Sequence, residues 1–225
     1  DFRGDHNLND KHRFFARYSY RDQFRNQNGT LPYPVMGGQG QTVVLKGHNL
    51  ASALSSAVSP TIFNELRYGF SEFDTRFDIP FTENMNSKYG IKNAPGDSFG
   101  DGLDHGWTLF NPSGFAQLGP RAFWPNVNNL TNFMIADSLV WQKGKHAFKF
   151  GGETRKSNVY RDAARYRRGQ WNFTGNLTSE FPNNGTSRSN TGNGLADMLL
   201  GYIGGGSYGN NQGEDINNWY YGLFV

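Results

Sequence analysis

The sequence has no cysteine, so neither a disulfide framework nor a thiolate metal site braces the chain. It has no run of about twenty apolar residues, which excludes a transmembrane helix. Excess charge of one sign is nearly absent: Lys+Arg 22 against Asp+Glu 19 leaves +3, so a pI of 9.1 reflects a near balance and not a basic stripe. Nucleic acid is therefore not an expected partner. Apolar residues are scarce for a self-contained globular core, at 36% with a mean hydropathy of -0.68. A secretory leader is not visible either: Asp1 to Asp10 is polar and charged, and no initiator Met opens the chain. The chain is expected to be a piece of something longer. What is present in quantity is aromatic: Phe 19, Tyr 11 and Trp 5, with 29 Gly. That composition is too aromatic for disorder and points to β-structure with long polar loops.

Alternation supports this. In Lys11 to Arg21, Phe14, Ala16, Tyr18 and Tyr20 share one face, while Arg13, Arg17, Ser19 and Arg21 share the other. Two readings stand for this strand alone: the surface of a soluble antiparallel sheet, or a barrel strand with aromatics toward lipid and arginines toward a wet lumen. Val43 to Val58 repeats Leu50, Leu54 and Val58 on one face, and is compatible with strand or helix. Ser59-Pro60-Thr61 is a tight turn, after which Leu66, Tyr68 and Phe70 alternate with Glu65, Arg67, Gly69 and Ser71. Asn129 to Trp141 alternates again, with Asp137 interrupting the face of Phe133, Ile135, Leu139 and Trp141. The turn Gln142 to Lys145 leads into His146 to Arg155, with Phe148 and Phe150 opposed to Lys149, Glu153 and Arg155. A short strand over Gln170 to Gly175 (Trp171, Phe173), one short helix at Leu195 to Leu200, and a last strand at Asn217 to Val225 complete the reading.

The connections sort by length. Gaps at 22–42, 74–128 and roughly 161–217 are long, and those at 59–61 and 142–145 are short. Short turns on one rim and long loops on the other are the pattern of an outer-membrane barrel. The expected fold is all-β: a partial antiparallel transmembrane β-barrel of about six or seven strands with long extracellular loops. The longest loop carries Trp107, Phe110, Phe115, Phe123 and Trp124, candidate substrate-binding residues whose flat faces can stack on sugars or cover apolar peptide surface. Packing of the loop on itself is the competing role for these rings.

Covalent and metal chemistry find no support. The histidines His6, His12, His48, His105 and His146 are scattered without ligand spacing. Asp97, Asp101 and Asp104 lack the oxygen density of a calcium loop. Gly37-Gly38-Gln39-Gly40 and Gly204-Gly205-Gly206 precede no Lys-Ser/Thr helix start, so a P-loop is excluded. No GxSxG occurs. The basic run Arg161, Arg165, Arg167, Arg168 has no supporting phosphate motif and is taken as a solvated or lumenal rim. The chain is expected to be no enzyme and to hold no metal or cofactor.

Five stretches, in order, carry a family resemblance: Asp10 to Tyr20; Ser59 to Phe70; Asp137 to Trp141 with Gly144 to Glu153; Gly192 to Gly201; and Trp219 to Val225. Together they resemble the barrel of the Oar-like TonB-dependent outer-membrane transporters of Gram-negative bacteria. The resemblance implies a 22-stranded barrel around a plug. At about ten residues a strand that needs roughly 220 residues before any loop, so residues 1–225 are expected to be an internal part of the barrel domain, without plug or leader. It also implies uptake of a large nutrient (carbohydrate, peptide or chelate). The implied partners are outer-membrane lipid, the plug and remaining strands of the full-length protein, and TonB through an N-terminal region not seen here. The rival reading is a soluble extracellular β-protein that binds glycan through loop aromatics. Where the apolar strand faces go, into lipid or against a second sheet, separates the two.

Overall fold

The computed structural model describes residues 1–38, 40–94, 105–163, 165–181, 188, 190–209 and 213–225. The strands among them are β1 (Phe2–Asn9), β2 (His12–Gln27), β3 (Gln41–Ser59), β4 (Ile62–Asp78), β5 (Leu109–Pro112), β6 (Asn126–Lys143), β7 (His146–Ala163), β8 (Gln170–Phe173), β9 (Gly205–Ser207) and β10 (Glu214–Phe224). Two short helices, α1 (Met85–Lys88) and α2 (Gly194–Leu199), and a 3-10 turn at Asn176–Thr178 lie in the connections. Seven strands form one sheet in the order β1-β2-β3-β4-β6-β7-β10, antiparallel throughout. A separate sheet has the order β5-β8-β9. The Asp97, Asp101 and Asp104 group lies outside the described residues.

Each short turn is closed locally. Asn9 Oδ1 accepts from the N–H groups of Lys11 and His12 at 2.9 and 3.0 Å. Ser59 Oγ accepts from Thr61 N at 3.3 Å. Gly144 has φ +61, a value that side chains tolerate poorly and glycine adopts freely. These turns share one end of the sheet, and the long connections leave from the other.

Residues directly opposite in antiparallel strands share a face. The row Tyr18, Leu50, Phe70, Phe133, Lys156, Trp219 therefore lies on one face of the sheet. The next row, Arg17, Ala51, Gly69, Met134, Arg155, Tyr220, lies on the other. The aromatic faces of Phe14 to Tyr20, Leu66 to Phe70 and Phe148/Phe150 fall on one common side, and Arg17, Arg67 and Lys149 on the opposite side, as alternation predicts.

Three expectations need correcting. Asp1–Asp10, read only as polar and charged and given no strand, contains edge strand β1, its register set by β2 alone. The strands also extend further than read: β2 continues to Gln27 and β7 to Ala163, because backbone pairing persists where apolar alternation stops. And the connection read as lacking periodicity, 74–128, holds the helix α1 and the strand β5, which joins the expected strand at Gln170 and β9 in a second sheet.

Small residues let side chains cross between strands. Gly151 sits beneath the Phe224 ring, and an added Cβ would meet that ring and stand 2.7 Å from the Asp137 carbonyl oxygen. Gly151→Val is expected to displace Phe224 and destabilise the folded protein by about 1–3 kcal/mol. A lower urea midpoint of the lipid-reconstituted protein checks this, and an unchanged midpoint would show that Phe224 can move aside freely.

Candidate functional site

The apolar face has a defined height. Toward the turn end it carries Ile62, Trp141 and Phe148, then Leu139 and Phe150, then Phe14, Leu54, Leu66 and Leu223. It closes with Phe2, Tyr18, Leu50, Phe70, Phe133 and Trp219. One step further toward the loops the same face turns polar, with His48, Glu72, Thr131 and Asn158, then Asp22, Lys46, Asp74 and Asp215. From Trp141 to Phe133 is about nine residues, the length a tilted strand needs to cross a bilayer. Aromatics mark both borders, Trp141 and Phe148 below, Tyr18, Tyr20 and Trp219 above, as in the girdles at membrane interfaces. Lys156 lies at the upper border with its Nζ 5.4 Å from the Trp219 ring, placed to reach the headgroup level. Asp137, the interruption noted in the sequence, lies within the apolar band, where Asn64 Nδ2 donates to it at 2.8 Å. Ile135, Tyr221 and Leu223 are 49, 71 and 92% exposed on this face. Such a band is expensive to leave in water and is not covered by the second sheet.

A family model for the outer membrane beta barrel domain matches residues 1–225. The chain belongs to that family. No curated protein and no solved structure matches it. Family and band together assign the apolar face to lipid and the protein to the outer membrane, with short turns periplasmic and long loops external. The discriminator set by the sequence is thereby met on the lipid side.

The other face is the lumenal one. It carries arginines, carboxylates and small residues together with apolar side chains such as Phe73, Leu130, Met134 and Ile216, and a hollow of about 740 Å³ opens on it, lined by Asn49, Ser71, Asn132, Ser157, Met134 and Tyr220 among others. Within the membrane-crossing height its arginines are neutralised. Arg3 and Arg13 reach Asp5 at 2.9 and 3.4 Å, and Arg17 reaches Asp1 at 3.4 Å. Arg67 pairs with Glu65, and Arg155 pairs with Glu153 at 2.9 Å.

Above the lumen of the barrel wall the three long loops fold together. Gly38 N donates to Gly119 O at 3.0 Å and Gly119 N to Val35 O at 3.1 Å, tying the first loop to the second. Strand β5 pairs in parallel with β8, tying the second to the third. Buried polar side chains complete the tie. Asn86 of α1 is held against Thr108 by two bonds of 3.1 Å, and Thr108 Oγ1 donates to Arg168 O at 2.6 Å. Arg168, 2% exposed, donates from Nη1 to His105 O at 3.3 Å and from Nη2 to Arg121 O at 3.0 Å. Burial first, then the charge of Arg167, lowers its guanidinium from the ordinary value to about 9.

This cap forms a half-open apolar pocket of about 400 Å³. Val35 from the first loop, Trp107 and Phe110 from the second, and Trp171, Phe173 and Met198 from the third line it. Alternation along the small sheet puts Phe110, Trp171 and Phe173 on one side, with Phe110 and Trp171 edge to face at 5.4 Å. Trp107 is held by its Nε1 donating to Pro34 O at 2.7 Å.

Of the five candidate residues, the fold brings Trp107 and Phe110 to this pocket and sets the other three apart. Phe115 is 47% exposed, Phe123 meets Tyr166 at a tilted 5.3 Å under the Arg165 guanidinium, and Trp124 is buried beside Arg121. Trp171, Phe173, Met198 and Val35 were missed as site residues. Trp171 and Phe173 carry a visible strand alternation, but their partners, β5 on one side and β9 on the other, lie far away in sequence or in glycine-rich chain that shows no alternation.

Proposed function

We propose that the chain is part of the barrel wall of a TonB-dependent, Oar-like transporter that brings a large nutrient through the outer membrane. The observation that carries this reading is the loop cap: three external loops from separate hairpins build one pocket of ligand size at the loop end of the wall. Loops on a rigid scaffold are where recognition is placed. The sheet has two free edges, β1 and β10, and open edges are not tolerated in hydrocarbon. Further strands close the barrel, and a plug engaged by TonB supplies the energised opening. Trp107 and Phe110 hold an apolar part of the cargo by contact, and no covalent step is required.

The test is made in the host, with the full-length protein. Uptake should vanish when TonB is deleted. Trp107→Ala and Phe110→Ala should lower uptake about tenfold or more at unchanged barrel levels, by loss of aromatic contact area. Trp124→Ala, which removes a buried ring outside the pocket, should act through loop stability instead. TonB-independent uptake would overturn the reading. Full uptake by both pocket variants would take the pocket out of it.

A further inference from the structure

The lumenal face changes character at the height where the lipid face turns polar. Below it every described arginine of that face has a carboxylate partner, as shown above. Above it Arg21, Arg25 and Arg161 have none among the described residues. Arg21 Nη2 donates to Gln23 at 2.7 Å. Glu214 stands opposite Arg161 in the register, yet the two form no ion pair. Arg17, Arg21 and Arg25 follow one another on the lumenal side of β2 at every fourth residue, about 13 Å apart, and Arg161 stands roughly 19 Å across the wall. The lumenal side of β3, next to this ladder, has no charge at all: Gln41, Val43, Leu45, Gly47 and Asn49. The foot of the zone is a single row of alternating small amides and hydroxyls across the wall: Ser19, Asn49, Ser71, Asn132, Ser157 and Asn218. From Asn49 to Asn218 this row lines the 740 Å³ hollow. On the lipid-side face at the same height the excess is acidic, with Asp22, Glu72, Asp74, Asp78, Asp162 and Asp215 against Lys46 and Arg76. At the external mouth the same strands thus carry an excess of positive charge inward, Arg21, Arg25 and Arg161 against Glu214, and an excess of negative charge outward.

We propose that this mouth receives an anionic, hydroxyl-rich solute, an acidic saccharide, on its way through the lumen. The inference rests on the uptake reading above and gives it a substrate class. Unpaired guanidiniums in a concave wall raise the local concentration of anions and offer paired N–H donors to carboxylates. The Ser/Asn row beneath supplies neutral donors and acceptors suited to hydroxyl groups along a sugar chain. A cationic cargo would gain nothing from either feature, while the row just above the amides, Gly47, Phe73, Leu130, Val159 and Ile216, offers apolar contact to the C–H faces of sugar rings.

The probes are an oligogalacturonate and its fully methyl-esterified form of equal length, titrated calorimetrically into the full-length protein in lipid nanodiscs. The acidic probe should bind, and about tenfold more weakly at high salt than at low salt. Joint Arg21→Gln, Arg25→Gln and Arg161→Gln should weaken it by a similar factor, whereas Lys at the same positions should preserve most of the binding. The ester should bind at least tenfold more weakly than the acid. Equal binding of the two probes, no binding of the acid, or indifference to the Gln variant overturns the proposal. An acidic surface of the same protein seated on the ladder would give the second of these outcomes. The salt series uses the unaltered protein, so a misfolded variant does not decide the matter. Failed binding with TonB-dependent uptake intact removes only the substrate class. Binding without TonB-dependent uptake removes the transporter reading and leaves the site.

Discussion

Replacing Ile135 by lysine should remove most of the protein from the outer membrane, while lysine at the adjacent Ala136 should leave it there. The two positions differ by one residue and by everything around them. Ile135 is 49% exposed in the middle of the apolar band, between Tyr68 and Thr154 in the register. A cation there meets hydrocarbon, at a cost of about 2–4 kcal/mol near the bilayer midplane. Ala136 lies on the lumenal face, between Arg67 and Glu153. A lysine there finds a carboxylate on one side, a guanidinium on the other and water in front, so its cost should be well under 1 kcal/mol. The measurement is the heat-modifiable folded fraction in outer-membrane preparations, followed by urea titration of the reconstituted protein. Equal loss for both variants would mean that the faces are not lipid and lumen.

The membrane half of the wall was legible in the sequence because two solvents act on it. Lipid on one side and water on the other force a period of two, and Phe14 to Tyr20 and Leu66 to Phe70 display it cleanly. Above the membrane both faces meet water, the constraint lapses and the alternation fades. For that reason β2 was read only to Arg21 although its pairing with β3 continues to Gln27. The edge strand β1 was missed for a related reason: between Phe2 and Leu8 its lipid-side positions are Gly4 and His6, too weak a stripe to see.

The loop cap was the least legible part, and its physics explains why. Its order comes from contacts between loops far apart in sequence. Trp107 needs the Pro34 carbonyl, β5 needs β8, and Thr108 needs Arg168. None of these leaves a local period. Aromatic enrichment alone pointed to the second loop, and it could not tell a ring that lines the pocket, Phe110, from one packed elsewhere, Trp124. The amide caps of the short helices are local signals that were available. Asn193 Oδ1 accepts from Leu195 N and Ala196 N at 2.9 and 3.1 Å, and α2 was read correctly. Asn84 Oδ1 accepts from Ser87 N at 3.1 Å, but α1 has only four residues and no apolar stripe to draw attention to it.

Loss of Arg168 should open the cap and spare the wall. Arg168→Leu removes the donors to His105 O and Arg121 O, which lie in the second loop, while Arg168 itself belongs to the third. Each buried carbonyl left without a partner costs about 1–3 kcal/mol. The wall has its own ladders and touches none of these bonds, so the expected result is rapid proteolysis within 79–125 on intact cells at normal barrel levels. The guanidinium holds the loops by its N–H groups and not by its charge, since no carboxylate is bonded to it among the described residues and burial lowers it to about 9. The sign of the pH response follows. Below about 9 the closed and open caps both carry the proton, and the cost of burying the charge is constant. Above that value the closed cap sheds the proton while the open one keeps it, so closure is favoured as pH rises, and the neutral group keeps enough N–H donors for both carbonyls. Protease resistance of the unaltered cap should therefore hold or increase between about 8.5 and 10. In the Leu variant resistance should be low throughout and insensitive to pH in that range. A cap that resists protease equally well without Arg168 would assign its closure to the apolar contacts of Trp107, Phe110 and Trp171 alone.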